Sequence, residues 1–204
     1  MKAVIVYATR YGTTARVAGM VAEELGRRGV EAVVEEAAGS PDPRGFDLVV
    51  LGAPVYRDGP CRGIMEYVEA WREELEELPK AFFLVALHTT GSVFMGRLHG
   101  GIAYAQPLLD AFEAPPFYGT LIGGVVDPAV LTPEDRAKME RFYRALGEEL
   151  RRVDKLRRED VEAFARRLLL YYEWFGHSFT RSRMGEVEGF DFMEKVRGSG
   201  ARGP

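Results

Sequence analysis

The sequence predicts an α/β fold in which one parallel sheet of five strands is covered by helices on both faces. Five short apolar runs occur within the first 126 residues, and amphipathic segments separate them. Strands that are buried on both faces of a parallel sheet have this continuous apolar character. The alternation of apolar and polar residues that is typical of barrel strands is not seen, so we do not expect an all-β fold.

The predicted elements alternate between strand and helix along the chain. The strands are expected at residues 4–7, 30–35, 46–51, 81–87 and 118–126. Helical patterns are expected at residues 13–29, at 64–78 and, more weakly, at 109–112. Stretches 40–45 and 88–101 contain glycine and are predicted to be loops. One or two long helices of mixed charge are predicted from residue 133 to about 175.

The composition argues against several classes of protein. The chain has 27 lysine and arginine residues against 31 acidic ones, a net charge of −4, so no basic excess indicates a nucleic-acid partner. No apolar run is long enough for a transmembrane segment, and no signal peptide is recognised. The single cysteine cannot form an internal disulfide, which favours a cytoplasmic location. The widely spaced histidines lack a cysteine cluster, so no metal site is predicted.

A ligand site is expected beyond the carboxyl ends of the parallel strands, where three loops meet. The first loop follows strand one and contains Thr9, Arg10, Tyr11, Gly12, Thr13 and Thr14. Hydroxyl groups and free backbone N–H groups at a helix start form a site for an anion such as phosphate. Alternatively, Thr13 or Thr14 serves only as the helix N-cap. No Walker loop and no G-x-G-x-x-G motif follow strand one.

The second and third loops follow strands three and four. The second, at residues 52–59, includes Pro54, Val55, Tyr56, Arg57, Asp58 and Gly59, and the third begins with His88, Thr89, Thr90 and Gly91. The first loop, T-R-Y-G-T-T, resembles the flavodoxin phosphate loop T-x-T-G-x-T, with Tyr11 in place of the middle hydroxyl residue. The other two resemble the loops on either side of the isoalloxazine ring in that family. The first loop and an insertion after strand five are also similar to those of menaquinone-dependent protoporphyrinogen dehydrogenases.

This resemblance implies a flavodoxin-like fold with strand order 2-1-3-4-5 and FMN as the cofactor. The phosphate would bind the N–H groups of Gly12, Thr13 and Thr14 and the threonine hydroxyls. The ring would lie between the second and third loops, stacked on Tyr56, and Gly59 would let a peptide reorient toward the reduced flavin. His88 is the one weak candidate for a catalytic residue, as a donor of a proton or hydrogen bond.

Three functions are consistent with this resemblance. The first is an FMN-dependent oxidoreductase that oxidises a substrate such as a porphyrinogen and reduces a quinone. The second is a flavodoxin-type electron carrier. Such carriers dock basic partners on a strongly acidic surface, and the net charge of this chain is only mildly negative. The third is an NAD(P)H-dependent quinone or flavin reductase. Acidic residues in segment 127–160 argue against peripheral docking of this segment to an anionic membrane.

The chain is expected to form one domain over residues 1–175, with a helical insertion at about 127–157 and a last core helix near 160–170. Residues 176–204 are predicted to be a C-terminal extension that is partly flexible. Seven aromatic residues occur near this end of the chain: Tyr171, Tyr172, Trp174, Phe175, Phe179, Phe190 and Phe192. They are expected to cover the domain's own surface, the flavin cleft or a partner in a homodimer, and the first arrangement is the simplest.

Overall fold

The computed structural model describes residues 1–94, 96–145 and 147–186. Its strands are β1 (Lys2–Tyr7), β2 (Glu31–Glu36), β3 (Leu48–Tyr56), β4 (Gly59–Pro60), β5 (Lys80–Ala86), β6 (Gly91–Phe94), β7 (Arg97–Gly100), β8 (Tyr118–Gly123), β9 (Val125–Val126) and β10 (Val153–Asp154). Its α-helices are α1 (Thr13–Gly26), α2 (Arg62–Ala70), α3 (Arg72–Glu76), α4 (Gln106–Leu109), α5 (Pro133–Ala145) and α6 (Arg158–Phe175). Short 3₁₀ turns occur at Ala37–Gly39, Gly101–Ala105, Gly176–Ser178 and Arg181–Glu186.

Five of these strands form a parallel sheet in the order β2-β1-β3-β5-β8. They correspond to the five predicted strands in the order 2-1-3-4-5, which confirms the flavodoxin-like, doubly wound topology. Ile5 of β1 is in register with Val34 of β2 on one side and with Val50 of β3 on the other. The order of the strands reverses at β1, so a crevice is expected beyond the carboxyl ends of β1 and β3.

Helices cover both faces of the sheet, which explains why its strands are continuously apolar. On one face, Ile5 belongs to a cluster with Leu25 of α1 and Phe164 of α6. On the other face, Val4 belongs to a cluster with Ile64 of α2. Successive strand residues point to opposite faces, and both Val4 and Ile5 have no exposed surface.

Several predicted strand boundaries are wrong near the carboxyl edge of the sheet. β3 continues beyond Gly52 to Tyr56 and turns back into β4, with which it pairs antiparallel. The predicted loop 88–101 contains the antiparallel hairpin of β6 and β7. The fifth predicted strand ends at Gly123, and the residues after it form β9, which pairs with β10 of the insertion. Each difference arises from pairing with a distant or sharply turned segment, which local apolar patterns do not reveal.

The helices predicted at 13–29, 64–78 and 133–175 are found in those segments, whereas the weak prediction at 109–112 is wrong, because α4 spans Gln106–Leu109 and ends where the pattern begins. The pattern at 64–78 is divided into α2 and α3 at Trp71, whose backbone leaves the helical region. The stretch 133–175 contains two helices, α5 and α6, with β10 between them. In the part of the chain that the structure describes, none of the helices combines the length and the apolar character that crossing a bilayer requires.

The aromatic residues after the sheet pack on the domain's own surface as far as the structure describes them. Phe117 contacts the rings of Tyr172 and Phe175, with centroids 6.2 Å apart in each pair. Phe175 in turn contacts Phe179 at 5.7 Å. Tyr171 also lies against the cluster formed with α1 and α6. Phe190 and Phe192, with the rest of 187–204, lie outside the described residues.

A buried ion pair lies at the amino end of the sheet, opposite the crevice. Lys80 begins β5 and Glu76 ends α3, and both side chains are fully buried with Nζ and Oε2 3.9 Å apart. Glu76 accepts hydrogen bonds from the N–H groups of Glu113 and Ala114 at 2.7 and 2.9 Å. Nζ of Lys80 has no hydrogen-bond partner within the described ranges, and burial lowers the pKa of Lys80 to about 8. Its charged form therefore destabilises the fold.

We predict that this lysine makes the protein more stable as pH rises from 8 toward 10. In the folded protein Lys80 loses its proton over this range, whereas its ordinary pKa of 10.5 keeps it charged in the unfolded chain. Because the folded pKa is the lower one, the burial penalty disappears as pH rises, and the contribution of Lys80 to the free energy of unfolding should increase by about 2 kcal/mol. Buried tyrosines with raised pKa values act in the opposite direction, so this increase is measured as the change, between pH 8 and 10, in the difference in urea unfolding free energy between the unmodified protein and Lys80→Met.

A control variant separates this effect from general alkaline behaviour. Lys138→Met removes an exposed lysine of α5 and should leave the change between pH 8 and 10 as it is in the unmodified protein. If Lys80→Met shows the same change as the unmodified protein, another group is responsible.

Candidate functional site

Three segments lie at the carboxyl edge of the sheet, as the topology requires. The first loop, residues 9–14, follows β1 and leads into α1. Arg57 and Asp58 form the turn between β3 and β4. Residues 88–90 follow β5 and lead into the β6–β7 hairpin. The site therefore consists of one loop, one tight turn and the base of one hairpin.

The start of α1 presents N–H groups without side-chain caps. Gly12 occupies the N-cap position with a left-handed backbone, φ 83°, and makes no side-chain cap hydrogen bond. Its own N–H donates to Oγ1 of Thr9 at 3.1 Å, and its carbonyl accepts the first helical hydrogen bond from Arg16 at 3.0 Å. The next amides, beginning with those of Thr13 and Thr14, belong to the first turn, where a helix supplies no internal acceptor. Neither threonine is the N-cap.

Thr14 adds a buried hydroxyl to this helix start. The residue is 1% exposed, and its Oγ1 has no hydrogen-bond partner among the described residues. A buried hydroxyl without a partner is costly, so a ligand with acceptor oxygens at this position would stabilise the structure. The uncapped amides and this hydroxyl fit a phosphate group.

The insertion after β8 is attached to the first loop through Asp135 in the first turn of α5. The hydroxyl of Tyr11 donates a hydrogen bond to this carboxylate, and Nη2 of Arg10 lies 2.9 Å from it. The N–H of Thr132 approaches the Tyr11 hydroxyl at 3.4 Å, and the N–H of Asp135 donates to Oγ1 of Thr132 at 3.3 Å. We call this set of contacts the Asp135 anchor.

The sequence interpretation missed the Asp135 anchor. The pattern Thr132-Pro133-Glu134-Asp135 resembles a helix start with an acidic first turn, so it predicts where α5 begins. It contains no information about Tyr11, which is 124 residues away along the chain. Tyr11 stands where the flavodoxin loop has threonine, and its longer side chain can reach a more distant partner. This substitution is the one sequence feature that pointed to such a contact.

Tyr56 lies close to the same group of residues. Its side chain stands at the end of β3 and the residue is 41% exposed. Partial burial raises the pKa of Tyr56 to about 12, the nearby Cys61 and Tyr11 act in the same direction, and Arg10 opposes them. The first loop and the end of β3 are therefore within electrostatic range of each other.

The β3–β4 turn has an uncommon backbone. Arg57 and Asp58 have positive φ, 53° and 63°. Glycine, asparagine and aspartate tolerate this left-handed conformation, so Arg57 is the less usual of the two residues in it. Gly59, where the sequence suggested conformational freedom, pairs with Tyr56 instead and has no positive φ. Both turn residues are exposed, so the strained backbone lies on the surface of the crevice.

The remaining predicted residues fall into two groups. Pro54 and Val55 belong to β3 rather than to a loop. Pro54 is buried, and its carbonyl accepts a hydrogen bond from Cys61 at 3.0 Å. His88, Thr89 and Thr90 are exposed after β5. At the base of the hairpin, a Cβ on Gly101 would lie 2.7 Å from the N atom of Gly91, so the two backbones touch only because these residues are glycines.

A cavity of about 340 Å³ borders the first loop at Thr9 and extends between the end of β2 and α2. Residues 10–14 do not line this cavity. The first loop and the turn at residues 57–58 instead face an open crevice. Cys61 begins α2 beside this crevice, and burial raises the pKa of its thiol, which does not favour a reactive thiolate.

Comparison with known proteins identifies the family. Residues 4–151 match the model of the flavodoxin domain family. Over 89 residues the chain is 32% identical to protoporphyrinogen IX dehydrogenase [quinone] of Escherichia coli strain K12, an alignment that covers 43% of this chain and 49% of that protein. The chain thus spans about half the length of the curated relatives it matches.

Similar solved structures include flavodoxin 1 of Bacillus cereus, with a TM-score of 0.48 and 19% identity, covering 85% of this chain and 98% of that one. A flavodoxin from the domain Archaea has a TM-score of 0.46 and 13% identity, with coverage of 83% and 99%. The family match itself covers β1, the first loop and the strands on either side of the crevice. The chain belongs to the flavodoxin domain family, and as a flavodoxin-type flavoprotein it binds FMN.

Proposed function

We propose that the chain is an FMN-dependent oxidoreductase that acts in the cytoplasm, oxidises a porphyrinogen-like substrate and reduces a quinone. The observation that carries this proposal is the charge of the crevice mouth. No aspartate or glutamate occurs from residue 78 to residue 109, and this stretch forms β5, the β6–β7 hairpin and α4. The β3–β4 turn adds one acid, Asp58, beside one base, Arg57, and Asp135 at the first loop is paired with Arg10. A carrier that docks basic partners needs a strongly acidic mouth, whereas this balance of charge suits a substrate with carboxylates.

Similarity to a named enzyme supports the same proposal. The relative aligned over 89 residues is a protoporphyrinogen IX dehydrogenase that uses a quinone. The aligned segment covers less than half of this chain, so the substrate and the acceptor remain proposals for this protein. When bound, FMN would supply reversible uptake of electrons from the substrate.

The start of α1 would hold the phosphate of FMN. The amides of Thr13 and Thr14 have no internal acceptor, and the hydroxyl of Thr14 is buried without a partner in the part of the chain that the structure describes, so these groups are available as donors. The N–H of Gly12 already donates to Oγ1 of Thr9, so we assign Thr9 and Gly12 to shaping the loop. The positive end of the α1 dipole further favours an anion here.

Tyr56, Arg57 and Asp58 would contact the flavin ring at the end of β3. The half-exposed Tyr56 ring offers a flat apolar surface. The Tyr56 hydroxyl is protonated at neutral pH, and its raised pKa keeps it protonated in mildly alkaline solution as well, so it can donate a hydrogen bond. His88 stays a weak candidate for a proton donor, because it is exposed after β5 without a structural feature that singles it out.

The Asp135 anchor would keep the first loop in its binding conformation. Arg10 and Tyr11 are fixed by one carboxylate whose side chain is only 18% exposed. A loop that is already ordered pays less conformational entropy when a ligand binds. We therefore assign Asp135, in the insertion, as a positioning residue for the cofactor loop.

We predict that Thr14→Val weakens FMN binding by about tenfold, because valine keeps the shape of threonine but lacks the hydroxyl that donates to the phosphate. Quenching of FMN fluorescence during titration of flavin-free protein measures the dissociation constant. Thr180→Val, which replaces a threonine that is 5% exposed after α6, should leave the affinity unchanged. Equal affinities of the Thr14→Val variant and the unmodified protein would contradict the assignment.

We predict that Tyr11→Phe loosens both the insertion and the cofactor loop. Hydrogen exchange of the backbone amides in α5 should become faster, and FMN should dissociate a few times faster, because the hydrogen bond to Asp135 is lost. Asp135→Asn should speed exchange in α5 at least as much, because it also removes the ion pair with Arg10. The effects of the two changes should be less than additive in the double variant, because they share the Tyr11–Asp135 contact. Glu134→Gln, at an exposed neighbour that pairs with Lys138, is the control. Unchanged exchange in both single variants would rule out the anchor.

The reaction itself is tested by anaerobic mixing of FMN-loaded protein with protoporphyrinogen IX. We expect the visible absorbance of the flavin to be bleached, and a soluble quinone added afterwards to restore it. Reduction by NADPH alone would instead indicate a reductase. Reduction by neither compound would indicate an electron carrier and would contradict the proposed function without affecting FMN binding.

A further inference from the structure

An open groove runs along the outer edge of the sheet, away from the first loop. Its volume is about 490 Å³, and it lies between β8 and the first half of α6. Thr89 closes one end, next to Gly123 and Lys155, and Arg167 lines the groove as well. We call this feature the edge groove. Its size is in the range of small-molecule sites.

The floor of the edge groove is aromatic. The rings of Tyr118 and Phe164 are stacked, with centroids 5.5 Å apart and an interplanar angle of 17°. Phe164 is buried beneath, whereas Tyr118 is half-buried and lines the groove. Leu121 and Ala163 extend the apolar surface. Tyr171 contacts the Tyr118 ring at a steep angle, with centroids 5.0 Å apart, so a flat ring would stack on the part of Tyr118 that lines the groove.

Two cations on the rim have no carboxylate partner. Arg157 pairs with Asp160 at 3.2 Å, and Arg152 pairs with Asp154 at 3.6 Å, so these charges cancel. Among the described residues, Lys155 and Arg167 make no ion pair, and Arg167 is hydrogen-bonded to the hydroxyl of Tyr118. Lys155 donates one hydrogen bond, to the carbonyl of Leu87 at 2.9 Å, which leaves two of its three N–H groups available. In a chain with net charge −4, unpaired cations beside an aromatic surface are an unusual local arrangement.

The position of Lys155 is enforced by close packing. A Cβ on Gly123 would lie 2.0 Å from the carbonyl oxygen of Lys155, so only glycine allows this approach. The N–H of Lys155 also donates to the carbonyl of Gly124 at 3.0 Å. These contacts close the carboxyl end of the β8 edge and hold the lysine beside Thr89.

We propose that the edge groove binds a planar aromatic molecule with an acidic group, stacked on Tyr118 with the acid between Lys155 and Arg167. This site is separate from the first loop, shares Thr89 with the candidate flavin site, and does not depend on the proposed function. Binding should occur with or without FMN. Its occupant would reach Thr89 and therefore the base of the β6–β7 hairpin.

Two fluorescent probes that differ in one acidic group test this proposal. The anionic probe is 8-anilinonaphthalene-1-sulfonate, and the neutral one is N-phenyl-1-naphthylamine. We expect the anionic probe to bind one site per chain, about tenfold more tightly than the neutral one. Lys155→Gln and Arg167→Gln should each weaken the anionic probe about fivefold and leave the neutral probe unchanged, and Arg167→Lys should restore part of the loss.

Arg166→Gln is the matched control, because Arg166 is an exposed neighbour on α6 that does not line the edge groove. It should change neither affinity. Equal binding of the two probes would overturn the proposal, and so would equal effects of Arg166→Gln and Arg167→Gln. A dimeric mass in light scattering that the anionic probe converts to a monomeric mass would show that a second copy of the chain covers the groove, which would also overturn it. The weaker binding of the anionic probe by Lys155→Gln and Arg167→Gln should also be seen in flavin-free protein. The result therefore does not depend on whether the proposed function is correct.

Discussion

The central strands of this protein are buried on both faces, and most of the site follows from this constraint. Val4 and Ile5 are adjacent in β1, yet each is fully buried in a different cluster. Helices must therefore cross over the sheet between successive strands, which makes the strands parallel. All five strands then end at the same edge. The first loop, the β3–β4 turn and the base of the β6–β7 hairpin meet there as a result of the topology.

The first loop combines groups that a folded chain normally satisfies internally. The amides that open α1 lack a side-chain cap, and the hydroxyl of Thr14 is buried without a partner among the described residues. Arg10 and Tyr11, by contrast, are held by Asp135 of the insertion. The donors that we propose for the phosphate and the groups that order the loop are thus different. Under this proposal Tyr11 orders the loop and is not itself a ligand of the phosphate.

The sheet and the first loop could be predicted because their signals are local. A continuous apolar run predicts a doubly buried strand, and T-R-Y-G-T-T after such a run predicts an anion site. The extension of β3 to Tyr56 could not be predicted, since Pro54 and the turn at Arg57 and Asp58 depend on pairing with Gly59. The Asp135 anchor was likewise hidden, because it joins segments that are more than a hundred residues apart.

The central claim is that the start of α1 binds the phosphate of FMN, and the most direct test compares FMN with riboflavin, which lacks that phosphate. Both are titrated into the same flavin-free protein at the same ionic strength. If the amides of Thr13 and Thr14 and the Thr14 hydroxyl hold the phosphate, FMN should bind about a hundredfold more tightly than riboflavin. Equal dissociation constants for the two flavins would contradict the claim.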